Sequence, residues 1–209
     1  MDPVRTQSRL SRCAILFVDL RGYTTLCEDL APSAVASLLD EFYGVISEAV
    51  ASSGGQVHNL SGDAVMAVFG LAEPTPGGDG RAAVESGRKM IGAFQPMGNR
   101  WESAHGVPTG IGVGVHLGVV AESELGPPAL RRYTLVGDTV NVAARLCHRA
   151  RAGEVLFSSE VATQLGDAER QEIIALPNFS LRGRAAPVRI YCVPAPERMD
   201  PMNPSVTLG

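Results

Sequence analysis

The chain has 209 residues, 45% of them hydrophobic and 19% charged, with a formal net charge of -4. That balance fits one α/β domain able to bury roughly 70% of the surface its unfolded chain would expose, and no run approaches the ~18 apolar residues of a membrane span. The acidic balance gives the whole chain no basis for holding DNA or RNA, so any phosphate recognition has to be local.

Residues 1–12 form a polar segment without the apolar core of a signal peptide. Cys13 to Val18 is an apolar, β-branched run that predicts a buried strand, and it delivers Asp19 just before the Gly22 turn and a helical segment. A carboxylate at the end of a strand, followed by backbone N–H groups free to face an anion, suits a metal held together with phosphates. Pro32 to Ala51 sets Val35, Leu38, Leu39, Phe42, Ile46, Ala49 and Val50 at helical spacing. Gln56 to Leu60 and Asp63 to Phe69 read as strands joined by Ser61-Gly62, a hairpin that would bring Asp63 beside Asp19.

After a loop rich in proline and glycine at 73–80, Arg81 to Gln95 reads as a second helix, loosened from Pro96 onward. Gly110 to Val120 alternates glycines with Ile111, Val113, Val115, Leu117 and Val119, the pattern of a strand with one face open to close approach. His116 falls on the glycine parity and reads as a face-exposed or hydrogen-bonded side chain rather than a metal ligand. Glu122 to Arg132 reads as an arm or extended loop, and Tyr133 to Val136 as a strand. From Gly137 the pattern turns helical, with Val142 and Leu146 on one stripe and Asn141 and Arg145 on another. Gly153 to Ser158 predicts a short strand, and Val161 to Leu165 a helix behind a serine cap. Phe179 to Arg184 with Val188 to Val193 predict a terminal hairpin, and residues 194–209 a proline-rich tail. The four cysteines lack CxxC spacing, which points to core thiols in a reducing, cytoplasmic compartment and away from zinc.

Two carboxylates on adjacent elements, a glycine turn and a helix bearing an amide and a guanidinium suit nucleoside triphosphate chemistry with two divalent ions, Mg²⁺ or Mn²⁺. The chain has no GxxxxGK[ST] loop and no kinase signature set, which disfavours both of those mechanisms. Singly, each residue has a plain account: a strand-end Asp19, a turn Asp63, a solvated Asn141 and a surface Arg145.

Together, FVDLRGYT, NLSGDAVMAVFG and RRYTLVGDTVNVAARL, in that order within residues 13–193, resemble the catalytic domain of class III nucleotidyl cyclases, the adenylate and guanylate cyclases. The resemblance implies an α+β fold: a ferredoxin-like βαββαβ core with an added C-terminal β-hairpin, in an antiparallel-rich sheet flanked by helices. It implies that Asp19 and Asp63 bind the metals with the Leu20 carbonyl as a further ligand, and that Gly22, Tyr23 and Thr24 receive phosphates. Asn141 would hold the ribose and Arg145 stabilise the transition state, while Arg182, or its neighbour Arg184, would meet the triphosphate. In the family the metal aspartates come from one subunit and the Asn/Arg pair from the other. A chain with both sets implies a homodimer with two shared sites.

One position departs from the family pattern. Four residues before Asp63, where adenylate cyclases typically carry lysine and guanylate cyclases usually glutamate, stands Asn59, which both donates and accepts. The second base-reading position is matched by Thr134. ATP is the preferred substrate on this reading, with GTP or mixed use as the alternative. A catalytically silent module for nucleotide binding or dimerisation is the competing class. A diguanylate cyclase is disfavoured because no GG[DE]EF-like turn is present.

Overall fold

The computed structural model describes residues 8–180 and 186–195. Its first strand, β1 (Arg9–Arg21), is longer than the apolar run at its centre. The short helix α1 (Tyr23–Asp29) follows at once, then α2 (Pro32–Ala51), which covers the span its apolar spacing predicts and begins on a proline. β2 (Gln56–Ser61) and β3 (Ala64–Phe69) form the expected hairpin, with Gly62 at φ +58° supplying the left-handed turn.

Helix α3 (Asp79–His105) runs ten residues past the Gln95 end expected from Pro96. Pro96 is exposed, and the residue whose carbonyl loses its partner, Gly92, is exposed as well, so water can satisfy it. Beyond the proline, Met97, Gly98 and Trp101 remain buried, and the Trp101 indole donates to Glu41 Oε2 of α2 at 3.1 Å. Tertiary packing holds the helix where local propensity would end it.

Strand β4 (Gly110–Leu125) likewise exceeds its predicted end at Val120, because residues 121–125 pair antiparallel with β5 (Arg132–Val136). The stretch read as an arm or loop is therefore the tip of a two-stranded arm, with 126–131 connecting its strands. Helix α4 (Asp138–Arg149) crosses to β6 (Val155–Ser158), which lies parallel to β4. Two short helices, α5 (Ser159–Ala162) and α6 (Asp167–Gln171), lead to β7 (Ile174–Phe179) and β8 (Val188–Val193). The terminal hairpin exists, but its first strand precedes the predicted Phe179–Arg184 segment. The apolar pattern around Phe179 marks that strand's end rather than its start.

Among the described residues the strands form one eight-stranded sheet in the order β2-β3-β1-β4-β6-β8-β7, with β5 on β4. Every pairing is antiparallel except β4 with β6. One face packs Leu16, Val18, Val113 and Val115 against Phe42, Ile46, Phe94 and Trp101 of α2 and α3. The other face receives α4, whose Val142 and Leu146 join Leu156 and Ile190, while Ala143 meets Cys13, Ile15 and Val120. Full burial of each such Val or Leu contributes about 1.5–3 kcal/mol.

Alpha-4 reaches the sheet because β4 presents Gly112, Gly114 and Gly118 on the face that receives it. A Cβ at Gly114 would lie 2.0 Å from the Cys147 amide nitrogen and 2.5 Å from the Ala143 carbonyl oxygen, and one at Gly118 would meet Thr139. His116 shares this parity. It is buried, with Nδ1 2.7 Å from Ser158 Oγ, so it is a hydrogen-bonded core histidine. Cys13, Cys147 and Cys192 are buried free thiols and Cys27 is exposed. No helix among the described residues is long and apolar enough to cross a membrane.

Candidate active site

Asp19 stands near the carboxyl end of β1, opposite Ala64 of β3 and Gly112 of β4. The next residue closes the site: the Leu20 amide donates to the Asp63 carbonyl at 3.0 Å, fixing the β2–β3 turn against β1. The Tyr43 hydroxyl of α2 donates to the Gly62 carbonyl at 2.5 Å and pins the same turn from the other side. The hairpin thus brings Asp63 to Asp19, as the two strand-and-turn motifs predict.

The electrostatics of the pair follow from its half-buried setting. Burial pushes the Asp19 carboxyl above its ordinary value; Arg21 opposes that, and the negative charge of Asp63 adds to it. Burial, with Asp63 again contributing, also raises the Tyr43 phenol. Asp19 and Asp63 are therefore a site of concentrated negative charge that an added cation would relieve. The described residues contain no cluster of three or more His, Cys, Asp or Glu side chains suited to a metal, so further ligands would have to be carbonyls, water or substrate. Two carboxylates backed by a strand-end carbonyl such as that of Leu20 make an all-oxygen set, which fits hard divalent cations.

Gly22 follows directly, at φ +87°. A Cβ there would sit 2.5 Å from the Pro108 carbonyl oxygen, so both conformation and space require glycine. It caps α1 without a side-chain hydrogen bond, and Tyr23 and Thr24 begin the helix. The hydrogen bond that the Tyr23 hydroxyl donates to Cys27 is the first cause, ahead of burial, that pushes the phenol up to about 12.

Asn59 lies exposed on β2 opposite Met66, beside a bulge that leaves His58 unmatched in the register. Thr134 is half-buried on β5 opposite Ser123. Their strands are far apart in sheet order, yet the rings of His58 and Tyr133 meet edge to face at 5.8 Å. Tyr133 is in turn held by Glu122, which accepts from its hydroxyl at 2.7 Å. The β5 arm therefore folds toward β2 and brings the segments that carry Asn59 and Thr134 together. Burial lowers the pKa of His58 below its ordinary value.

Asn141 and Arg145 occupy the exposed stripe of α4, with Val142 and Leu146 turned inward. This is the two-stripe helix the four-residue spacing predicts. Arg182 and Arg184 lie outside the described residues. One residue of consequence was missed: Arg21, whose guanidinium contacts Asp19 and the end of α4. Its signal was the period of two that places Arg21 on the same strand face as Asp19.

The model of the adenylate and guanylate cyclase catalytic domain matches residues 6–194, and the chain belongs to that family. It is 29% identical over 181 residues to adenylate cyclase 1 of Rhizobium meliloti, covering 84% of this chain and 26% of that protein. The adenylyl cyclase CyaB from P. aeruginosa superposes with a TM-score of 0.80 at 27% identity, over 89% of this chain and 95% of that one. The guanylyl cyclase Cya2 does so with a TM-score of 0.78 at 26% identity, over 90% and 94%. The chain spans about a third of the length of the curated relatives it matches.

Proposed function

We propose that this domain converts ATP to 3′,5′-cyclic AMP and pyrophosphate, at two sites shared across a homodimer, with residues 13–193 as the catalytic unit. The observation that supports the reading is the Leu20–Asp63 backbone bond, which ties the turn bearing Asp63 to the strand end bearing Asp19, beside the Gly22 turn. Mg²⁺ or Mn²⁺, bound as a pair, would supply Lewis acidity toward the phosphoryl oxygens and neutralise the leaving pyrophosphate.

The chain's own groups do the rest. Asp19 and Asp63, with the Leu20 carbonyl, hold the cations, and the backbone at Gly22, Tyr23 and Thr24 faces the phosphates. Asn141 orients the ribose so that its 3′-oxygen stands in line with the α-phosphorus. The new bond forms between those two atoms as the bond from the α-phosphorus to the bridging oxygen breaks. The hydroxyl proton is taken up by Asp19, a water or a substrate phosphate. Arg145 meets the charge growing on the α-phosphate, where loss of one oriented donor commonly costs ~100–1,000-fold in rate. Arg182 or Arg184 serves the outer phosphates.

The homodimer follows from the chain carrying both half-sites: Asp19 and Asp63 on β1 and the hairpin, Asn141 and Arg145 on the outward stripe of α4. Two copies related by a two-fold axis complete two equivalent sites. For the base, Asn59 and Thr134 present an amide and a hydroxyl, and ATP is favoured over GTP because the threonine matches the adenylate pattern.

The test is metal-dependent release of pyrophosphate from ATP by the purified chain and by Asp19→Ala and Asp63→Ala. Loss of turnover in both variants, with the fold retained, supports the reading. Full activity in either one sinks it.

A further inference from the structure

Arg21 belongs to none of the roles above, yet it joins two of them. β1 carries it two residues past Asp19, so both side chains stand on the face that receives α4. Its Nη1 donates to Asp19 Oδ1, and its Nη2 donates to the carbonyl oxygens of Cys147 at 2.5 Å and Ala150 at 3.0 Å. Those carbonyls close the C-terminal end of α4, the helix that bears Asn141 and Arg145.

Space for this bridge is built into β4. Gly112, directly opposite Asp19, leaves a slot: a Cβ there would lie 2.6 Å from Nη2 and 2.9 Å from the Ala150 carbonyl oxygen. The Arg21 and Asp19 side chains are 26% and 21% exposed, so solvent screens their ion pair only in part. A planar fork can bond a carboxylate on one side and helix carbonyls on the other, whereas an ammonium is a single point of attachment.

We infer that Arg21 is a positioning residue that couples the Asp19 carboxylate to the seat of α4, linking cation binding in one site to the Asn141 and Arg145 stripe that serves the other. The inference rests on the cyclase reading above. Its direction follows from charge. A cation drawing on Asp19 weakens the carboxylate's hold on the guanidinium, which is then left to the α4 carbonyls, where positive charge is favoured by the helix dipole. The last turn of α4 is held more tightly when cation is bound. Because the two half-sites of one chain belong to different composite sites, the link makes the sites interdependent.

The experiment uses the full chain with Mn²⁺ and 3′-deoxy-ATP, which lacks the attacking hydroxyl and therefore does not turn over. Mn²⁺ affinity is read by electron paramagnetic resonance, and the seat of α4 by hydrogen exchange of the amides at 146–150. In the wild type, Mn²⁺ is expected to slow exchange at those amides. Arg21→Gln, which removes the charge competing for Asp19, is expected to tighten Mn²⁺ by about 10-fold, because the coupling is reciprocal, and to abolish that slowing. Arg21→Lys, a single point of attachment, is expected to abolish the slowing as well and serves if the glutamine variant does not fold. Unchanged Mn²⁺ affinity with faster exchange at α4 would make Arg21 a helix cap only and overturn the coupling. Wild-type behaviour on both readouts would overturn it too, leaving the cyclase reading intact. Absence of Mn²⁺ binding by the wild type would remove the metal site itself, and both readings with it.

Discussion

Gly114 of β4 and Cys147 of α4 approach so closely that a single added methyl carbon at Gly114 would lie 2.0 Å from the Cys147 amide nitrogen. The atoms it would strike belong to backbone, so neither side can yield without moving the helix. Gly114→Ala should therefore destabilise the fold by about 1–3 kcal/mol. Displacing α4 by ~1 Å should also lower turnover by about 100-fold, because Asn141 and Arg145 ride on that helix. Thermal unfolding and a turnover assay on the same sample check both effects. A stable and fully active variant would mean that the glycine stripe does not seat the helix.

Sites shared between two subunits, as proposed, predict complementation between two inactive variants. Asp19→Ala and Asn141→Ala chains should each be inactive alone, yet mixed dimers should recover one intact composite site in each heterodimer. Activity is measured after co-expression and purification of the heterodimer through two different tags. Confirmed heterodimers without recovery would count against sites built from two subunits.

Base choice should respond to Asn59. Its amide donates and accepts, so it supplies a partner to either purine edge. Asn59→Lys should raise the ratio of ATP to GTP use by roughly 10-fold and Asn59→Glu should shift it toward GTP, the size expected when one directional polar contact is gained or lost. Competition assays with both nucleotides present give the ratio directly.

The β5 arm carries a pH dependence. Glu122 accepts from Ser11 and from the Tyr133 hydroxyl, and these bonds, with Arg9 nearby, hold its carboxyl below the ordinary 4.5. A carboxyl whose folded pKa is depressed contributes stability that is present above pH 4.5 and lost as pH falls through the lower folded value. The Glu122→Gln protein should thus be less stable than wild type near neutrality, by at most about 1 kcal/mol because the group borders solvent. The difference should close at acid pH. Thermal midpoints measured across pH for both proteins test this.

The positions of the candidate site residues were legible because they sit in contiguous motifs. Asp19 ends an apolar run, Gly62-Asp63 is a turn between two short strands, and the four-residue spacing of Asn141 and Arg145 defines a helical stripe. The elements that exceeded their predicted bounds did so through long-range partners. Residues 121–125 extend β4 because β5 returns to pair with them, and α3 continues past Pro96 because Trp101 docks on Glu41. Arg21 is not legible for a similar reason: two of its bonds reach 126 and 129 residues along the chain, to carbonyls that no sequence pattern marks.

The most direct test of the account is nucleotide turnover by the purified chain with ATP and with GTP, in Mg²⁺ and separately in Mn²⁺, resolving cyclic product and pyrophosphate. Cyclic AMP and pyrophosphate are expected in equal amounts, with ATP preferred over GTP. Predominant cyclic GMP would reverse the base assignment made from Asn59 and Thr134. No cyclic product from either nucleotide, in a dimeric and metal-loaded sample, would contradict the central claim and leave a nucleotide-binding module in its place.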